Sequence, residues 1–570
     1  MAIFSLPPPL SRRSFVVRLG ILVGSSALVP LLAACGSSTN GSVTTASTTS
    51  SVATSAATSS ASSTPTGATT RTAAASTVRP TSITLSSTTA SAASNATRLS
   101  ASSSTAALVA SGQGTPGGTL RATLGSDPSS LDPHQASTIF DADVRNNLFD
   151  GLVQDGDPQN LPGALAETWD SADAKSWTFH LRQGVHFHDG VEVTSDIVKS
   201  SVERIQNPAT KTAGALRTVA AEIAAVTAVD KYTVRIDLKA ANGAFPLEMV
   251  DIKIVPPDFN VTKPVGTGPF QFVEWVRNQR ITLKKNPNYF LKGLPYLEQV
   301  IFQPVPDENQ KVVLLQAGQV DFSDTIPLPR VKDIQAGGKI VVQGIAPGMS
   351  PSSYFMELKT DTPPLNDVRV RQAINYAIDR RSQLDVTFGV GTIKSNPVPP
   401  KHWAFDPQAT SYDQRDVNKA KQLLAQAGHS SGLNLQLKYI TSRAEFATIA
   451  QLFQTSMADV GIKVDLVPQE INVWVNDVLN KHNFQLGLTG IIPNYDPDQI
   501  MRRYDPTDQD GAAMAWKDSQ YLSLLDQGKA LVMQDQRKPI YAQAQVIEQN
   551  GSAGLVLNER PILYGSLPSV

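Results

Sequence analysis

The chain has 570 residues, enough for two or three domains. Its net charge is −1, but residues 1–115 carry six arginines and no acid, so the remainder holds 43 basic and 50 acidic residues. Because phosphate binding needs a basic surface, this acidic body argues against nucleic acid as a partner. The only cysteine, Cys35, excludes an intrachain disulfide and a two-cysteine redox motif.

The N-terminal segment indicates an export signal over residues 1–35. Arg12 and Arg13 precede an apolar run over residues 19–34. A bilayer span takes about 20 apolar residues, and Pro30 interrupts the helix that such a span would need. The paired arginines resemble a twin-arginine signal.

The end of this signal, residues 32–36 (Leu-Ala-Ala-Cys-Gly), resembles the lipobox of bacterial lipoproteins. The resemblance implies that Cys35 receives lipid and becomes the new N-terminus after cleavage. Two or more acyl chains give stable anchoring, so we expect a membrane-attached protein that faces away from the cytoplasm, in the periplasm or at the cell surface. The alternative is an uncleaved N-terminal helix with an incidental cysteine.

Residues 36–115 form a tether. Of these 80 residues, 42 are Ser or Thr, and most of the others are Ala or Gly. Such a segment buries too little apolar surface to offset the entropy lost on ordering. We therefore expect a disordered linker that lets the folded body move above the membrane.

The first half of the folded body, from about residue 117, contains strands, helices and two hairpins. Alternation predicts strands over residues 119–124 and 177–181, and Thr194 begins a helix that extends to about Gln206. The hairpins pair residues 225–229 with 232–238 and residues 270–276 with 280–285. Gly266 and Gly268 form a Gly-x-Gly pattern, but no helix follows, which favours a tight turn over a phosphate cradle.

The second half alternates strands and helices. Strands are predicted over residues 433–439, 462–467 and 484–491, separated by helices over 444–460 and 473–481. This β-α-β-α-β order predicts a largely parallel sheet. Ligands bind outside the carboxyl ends of such strands, so the loop from Asn494 to Asp498 is predicted to face a ligand.

Several stretches, in the right order along the body, resemble the family 5 extracellular solute-binding proteins. This family includes the dipeptide-, oligopeptide- and nickel-binding components of ABC importers. The matching stretches are residues 165–169 (Leu-Ala-Glu-Thr-Trp), 181–190 with Thr194 and Asp196, 264–270, 286–289, 318–321 and 366–380.

The resemblance implies an α/β, two-lobed fold of periplasmic-binding-protein type II form, with an additional subdomain inserted in lobe one. Lobe one would comprise residues 117–160, 255–350 and 546–570, the insert residues 161–254, and lobe two residues 351–545. The implied protein is a monomer without cofactor or metal that captures a small, peptide-like solute for a permease and an ATPase.

The ligand-binding residues that follow are Tyr354, Trp403, Asn494, Tyr495 and Asp496. Trp403 and Tyr495 would form aromatic floors, and Tyr354 would lie at the hinge side of lobe two. Core or surface packing is the alternative role for each. In peptide-binding members, an acidic residue before this loop pairs with the peptide ammonium. Pro493 stands there, so Asp496 or Asp498 would have to replace it.

Two other classes of function stay open. His186 and His188 lie on one strand face and could suggest a metal site, although a hairpin turn explains them better. The sequence has no His-Glu-x-x-His or Gly-x-Ser-x-Gly motif, which leans against a hydrolase. A surface protein used for sensing or adhesion is the remaining alternative.

Overall fold

The computed structural model describes residues 115–136, 138–154, 161–344, 348–441, 444–491 and 495–570; the export signal, Cys35 and the tether lie outside them. The strands, numbered in chain order from β1 to β16, are Thr119–Leu124, Ala166–Asp170, Ser176–Leu181, Ile223–Asp230, Thr233–Leu238, Phe270–Val276, Arg280–Lys285, Gln299–Pro304, Phe322–Ser323, Val341–Gly344, Ser353–Leu358, Leu433–Ile440, Ile462–Gln469, Leu486–Ile491, Gly554–Glu559 and Leu563–Ser566. The helices, α1 to α15, are Ile139–Leu148, Ser195–Gln206, Gly214–Glu222, Phe245–Glu248, Glu308–Gln316, Val331–Gly337, Val368–Ala377, Arg380–Val386, Val417–Gln426, Ala444–Ala458, Ile471–Trp474, Pro497–Met501, Gln509–Met514, Ser519–Lys529 and Gln534–Gly551. None of the helices in these ranges is long and apolar enough to be a candidate membrane span.

The first sheet belongs to lobe one and has the strand order β10-β16-β9-β1-β8-β7-β6. Its central strand, β1, runs parallel to both neighbours, with Ala122 opposite Phe302 of β8 and Phe322 of β9. These three side chains are fully buried, and their packing stabilises β1 in the centre of the sheet. The predicted hairpin of β6 and β7 forms the far edge of the sheet.

The third sheet, β2-β3-β5-β4, is antiparallel throughout and forms the inserted subdomain. Trp177, Phe179 and Leu181 alternate along β3 and are buried in the core of this subdomain. His188 ties the insert to lobe one, because its Nε2 hydrogen bonds to the Gly268 carbonyl at 3.0 Å and its Nδ1 accepts from the Gly266 amide at 3.2 Å. The insert and lobe one are therefore linked by side-chain contacts as well as by the continuous chain.

The second sheet belongs to lobe two and has the order β13-β12-β14-β11-β15. Strand β12 runs parallel to β13 and to β14, as the β-α-β-α-β pattern predicts. Strand β11 runs antiparallel to both of its neighbours, β14 and β15, so the sheet is mixed. Helix α9 covers the sheet with Ala420, Leu423 and Leu424, and Gly428 follows its end with φ +85°, a backbone conformation that favours glycine.

Two connections join the first and second sheets, from β10 to β11 and from β15 to β16. At this hinge, the Arg560 amide donates to the Ser352 carbonyl at 3.0 Å. The sequence analysis assigns residues 546–570 to lobe one, whereas β15 pairs with β11 in the second sheet. The physical reason is burial: Leu555 and Leu557 lie in one apolar core of lobe two and Val556 lies in another. By strand pairing, the chain returns to lobe one only at β16.

One carboxyl is buried in the second sheet without a hydrogen-bond donor. Glu357 on β11 is fully buried, and no donor in the described part of the chain reaches either carboxyl oxygen. Burial raises its pKa to about 8, with Arg503 opposing and Asp508 adding to the rise. Because the group binds its proton more tightly in the folded state than when unfolded, it destabilises the fold increasingly as the pH rises from about 4.5 through 8.

We expect replacement of Glu357 by methionine to remove this pH dependence. The variant should match the native protein near pH 5 and exceed it in free energy of unfolding by about 1 kcal/mol or more at pH 8.5. Urea denaturation at both pH values measures the difference, with the exposed Glu203→Gln as control. An equal difference at both pH values would contradict the assignment.

Candidate functional site

The lobe-one side of the candidate site lies at the carboxyl end of β1. Strand β1 pairs with β8 on one side and with β9 on the other, so the connections diverge at its carboxyl end. Such a switch point is where open α/β sheets bind ligands. Lys311 of α5 donates from Nζ to Asp324 Oδ1 at 2.6 Å, with side chains that are 2% and 6% exposed. Thr123, near the end of β1, donates to the same Asp324 oxygen at 2.9 Å. A buried, compensated ion pair therefore borders this edge.

Helix α1 adds a third charged group near the same edge. Asp143 is buried, and no donor in the described ranges reaches its Oδ1. Burial first, and then repulsion from Asp324, hold the pKa of Asp143 well above its ordinary value, while Lys311 opposes this. A carboxyl in this environment holds its proton more tightly than one in water.

The lobe-two side lies at the carboxyl ends of β12 and β14, where the crossovers again diverge. Asp496 follows β14 and caps α12, accepting from the Asp498 amide at 2.8 Å. Its two oxygens also accept from Arg537 Nη1 and Nη2 at 2.9 and 2.8 Å, and the two side chains are 6% and 4% exposed. This bidentate ion pair fixes the start of α12 to α15.

Trp403 lies against the same ion pair, and its neighbour His402 contacts Tyr495. The Arg537 guanidinium is 5.5 Å from the Trp403 ring centroid, and His402 Nε2 hydrogen bonds to the Tyr495 carbonyl at 2.6 Å. Both Trp403 and Tyr495 are half-buried, so each keeps some exposed surface. The structure thus brings Trp403, Tyr495 and Asp496 together, while Asn494 lies outside the described residues.

Tyr354 is placed apart from these three. Its side chain is 1% exposed on β11 and packs edge-on against Phe446, with ring centroids 5.7 Å apart. It belongs to the apolar core on the opposite face of the second sheet from Phe355. These contacts favour the packing role.

The two acids considered as replacements for Pro493 are already engaged by arginines. Both carboxylate oxygens of Asp496 accept from Arg537, and Asp498 Oδ2 accepts from Arg502 Nε at 2.9 Å. Asp496 is therefore a loop-positioning residue in this arrangement. A ligand ammonium would have to compete with a guanidinium for it.

A set of polar contacts between the insert and lobe two was missed by the sequence reasoning, and we call it the interlobe bridge. It consists of Glu222, Asn242 and Glu248 on the insert side and Gln499 and Lys529 on the lobe-two side. The one feature of the sequence that could have indicated this bridge is Glu248, because it is a charged residue within the apolar run of residues 244–250. The pairing itself joins residues 251 and 307 positions apart, which no local pattern reveals.

The two histidines considered for a metal site are placed in the hairpin and in its contact with lobe one. Both ring nitrogens of His188 are engaged by the turn at residues 266–268, and His186 pairs through its backbone with Glu192. Across the described residues, no group of three or more His, Cys, Asp or Glu side chains is placed to hold a metal ion.

The turn at Gly266 and Gly268 packs directly against the end of α1, where a β-carbon at either position would overlap the Leu148 backbone.

Comparison with known proteins agrees with this architecture. Heme-binding protein A from Haemophilus influenzae is 29% identical over 474 residues, covering 76% of this chain and 84% of the relative. Glutathione-binding protein GsiB from Pectobacterium atrosepticum is 29% identical over 398 residues, covering 66% and 74%. The periplasmic binding protein DppA from Helicobacter pylori, solved with the peptide STSA, matches with a TM-score of 0.65 at 26% identity, covering 80% and 94%.

The family model for the bacterial extracellular solute-binding proteins, family 5 (middle part), matches residues 160–511. That range spans the whole insert, residues 255–350 of lobe one and most of lobe two, and it includes the loop with Tyr495 and Asp496. The chain belongs to family 5 of the bacterial extracellular solute-binding proteins.

Proposed function

We propose that this protein captures a small solute between its two lobes and delivers it unaltered to the permease of an ABC importer. The family match over residues 160–511 carries this proposal. Two sheets with charged side chains at their ligand-facing edges, joined by two connections, supply the physical means. A solute that contacts both edges binds the closed form better and so shifts the equilibrium towards it.

The proposed solute is peptide-like and is not held by its α-ammonium at the loop after β14. Relatives named for glutathione and solved with a tetrapeptide support the first part. The second part is supported by Pro493, which offers no charge, and by Asp496, whose oxygens are taken by Arg537. Trp403 and Tyr495 would contact the solute with their exposed surfaces, and Asn494 is proposed to join them.

A thermal-shift comparison of ligands tests this proposal. The probes are glutathione, the tetrapeptide Ser-Thr-Ser-Ala, its N-acetylated form and heme. A solute that is present at a concentration one hundred times its Kd adds about 2.7 kcal/mol to the free energy of unfolding, which raises Tm measurably. We expect the N-acetylated and free tetrapeptides to shift Tm equally. A strong preference for the free amine would contradict the proposed binding mode.

We propose that the body is attached to the membrane by lipid on Cys35, through the tether of residues 36–115. Members of the family act outside the cytoplasm, where captured solute must be handed to a membrane-embedded permease. A tether of this length spans roughly 50 Å as a coil, which keeps the body within reach of the permease.

We expect Cys35→Ser to abolish labelling by radioactive palmitate and to move the protein from the membrane to the soluble fraction. The cause is loss of the thiol that accepts the diacylglycerol, since a serine hydroxyl does not replace it. Ser37→Ala, two residues further on, is the matched control and should remain membrane-bound. Undiminished lipid labelling of Cys35→Ser would refute the anchor.

A further inference from the structure

The interlobe bridge is a continuous chain of hydrogen bonds. Lys529 Nζ donates to Glu222 Oε1 at 2.9 Å, and Asn242 Nδ2 donates to Glu222 Oε2 at 2.9 Å and to Glu248 Oε1 at 3.0 Å. Gln499 Nε2 donates to the same Glu248 oxygen at 3.3 Å. Its two ends thus lie in lobe two and its middle in the insert.

The bridge spans surfaces that separate when the lobes open. The insert is fastened to lobe one through His188, whereas Gln499 and Lys529 belong to helices of lobe two. The hinge strands are elsewhere, at the connections from β10 to β11 and from β15 to β16. A rotation about that hinge that parts the insert from lobe two breaks these hydrogen bonds, so the bridge belongs to the arrangement in which the two surfaces meet, which we call the closed form.

Glu248 is the member of the bridge whose charge is least compensated. No donor in the described ranges reaches its Oε2, and Gln499 Oε1 likewise has no donor there. The groups around it are Glu222 and Asn242 from the insert and Gln499, Lys529 and Asp496 from lobe two. Only Lys529 among these is positive. A proton on Glu248 would remove one negative charge and supply a donor.

The electrostatics of the closed form agree with this view. Burial, followed by repulsion from Glu222, raises the pKa of Glu248 to about 8 from an ordinary value of 4.5, although Lys529 and Asn242 oppose the rise. On the lobe-two side, burial also raises the pKa of Asp498 to about 6, while Arg502 opposes it. The groups named for the Asp498 shift all lie in lobe two, whereas Lys529 and Asp496 act on Glu248 across the two surfaces, so Glu248 is the carboxyl whose proton uptake is coupled to their meeting.

We propose that closure of the lobes takes up a proton from solvent onto the Glu248 carboxylate, so that the protein closes more readily in mildly acidic than in alkaline surroundings. This inference rests on the proposed function, because it concerns the closure that traps solute. Between about pH 5 and pH 8 the closed-to-open ratio falls by up to about tenfold per pH unit, since the open form loses its proton first. Below that window, both forms keep the proton and the dependence vanishes.

The test measures closure without any solute, so its failure is distinct from a failure to bind solute. Spin labels at Val191→Cys in the insert and Val473→Cys in lobe two, both exposed positions, are introduced into full-length Cys35→Ser protein. Pulsed electron resonance then gives the distance distribution between them at pH 5.5, 7 and 8.5. We expect the short-distance fraction to fall as the pH rises.

Glu248→Gln keeps the shape of the side chain but cannot titrate, so its closed fraction should not change over the same pH range. The proposal is overturned if the parent protein shows no pH response, or if Glu248→Gln responds as the parent does.

A second variant tests whether this surface belongs to the closed form. The Gly243 amide donates to the Lys529 carbonyl at 2.7 Å, and a β-carbon on Gly243 would overlap the Leu531 carbonyl oxygen. Gly243→Ala should therefore lose the short-distance fraction at every pH, while each lobe stays folded. Gly337→Ala, where a β-carbon meets nothing within 4 Å, is the matched control. A distribution in Gly243→Ala equal to that of the control would overturn the proposal.

Discussion

Replacement of Arg537 by methionine is expected to lower the free energy of unfolding by about 3–5 kcal/mol. The change leaves the carboxylate of Asp496 buried without its bidentate partner, which is the costly way to break a buried ion pair. It also removes a donor to the Gly528 carbonyl and the cation that lies over the Trp403 ring. Urea denaturation measures the loss.

The functional consequence of Arg537→Met is weaker solute binding, because Asp496 then no longer fixes the start of α12 and the loop before it. The double variant Asp496→Asn, Arg537→Met should be less destabilised than Arg537→Met alone, since no charge is left stranded. Arg235→Met, which breaks a more exposed ion pair with Asp237, should cost no more than about 1 kcal/mol. A double variant as unstable as the single one would show that lost packing, rather than stranded charge, dominates.

Lys311→Met is expected to have an effect of similar size, about 3–5 kcal/mol, on lobe one. Lys311 compensates Asp324 and also lowers the pKa of the neighbouring Asp143. Without the ammonium, two buried carboxyls face each other at the end of β1, and one must take up a proton to stay folded.

This account gives Lys311→Met a characteristic pH dependence. Lys311 lowers the pKa of Asp143, so without it this carboxyl binds its proton still more tightly, and the deficit in free energy of unfolding should be smaller at pH 5 than at pH 8. Lys463→Met, in a pair whose side chains are 70% and 60% exposed, is the control and should cost less than about 1 kcal/mol at both pH values. A deficit that is the same at pH 5 and pH 8 would mean that Lys311 does not act on the proton affinity of Asp143.

Sequence patterns located most strands because alternation and turn residues are local. The hairpin of β6 and β7 has the predicted bounds, and Asn278 in its turn has φ +57°. The parallel arrangement of β12, β13 and β14 follows from the order of the elements. The position of β15 was misjudged, because a short strand buried on both faces carries no sign of which sheet it joins.

The candidate site was harder to predict because its contacts join distant parts of the chain. The loop after β14 was located by the general rule for α/β sheets, but the pairing of Asp496 with Arg537 spans 41 residues and gives no local signal. Lys311 and Asp324 are 13 positions apart, but Lys311 lies in α5 and Asp324 directly follows β9, and no periodic pattern marks them as a pair. Sequence reasoning found the position of the loop but not its partners.

Isothermal titration calorimetry of the full-length protein with glutathione, the tetrapeptide or heme tests the central claim most directly, because one trace separates binding from turnover. For a protein that captures a solute without altering it, at least one probe should give heat that saturates at one solute per chain and returns to baseline after each injection. Sustained heat flow after injection, the signature of a reaction, or no saturable heat with any of the three probes would contradict the account.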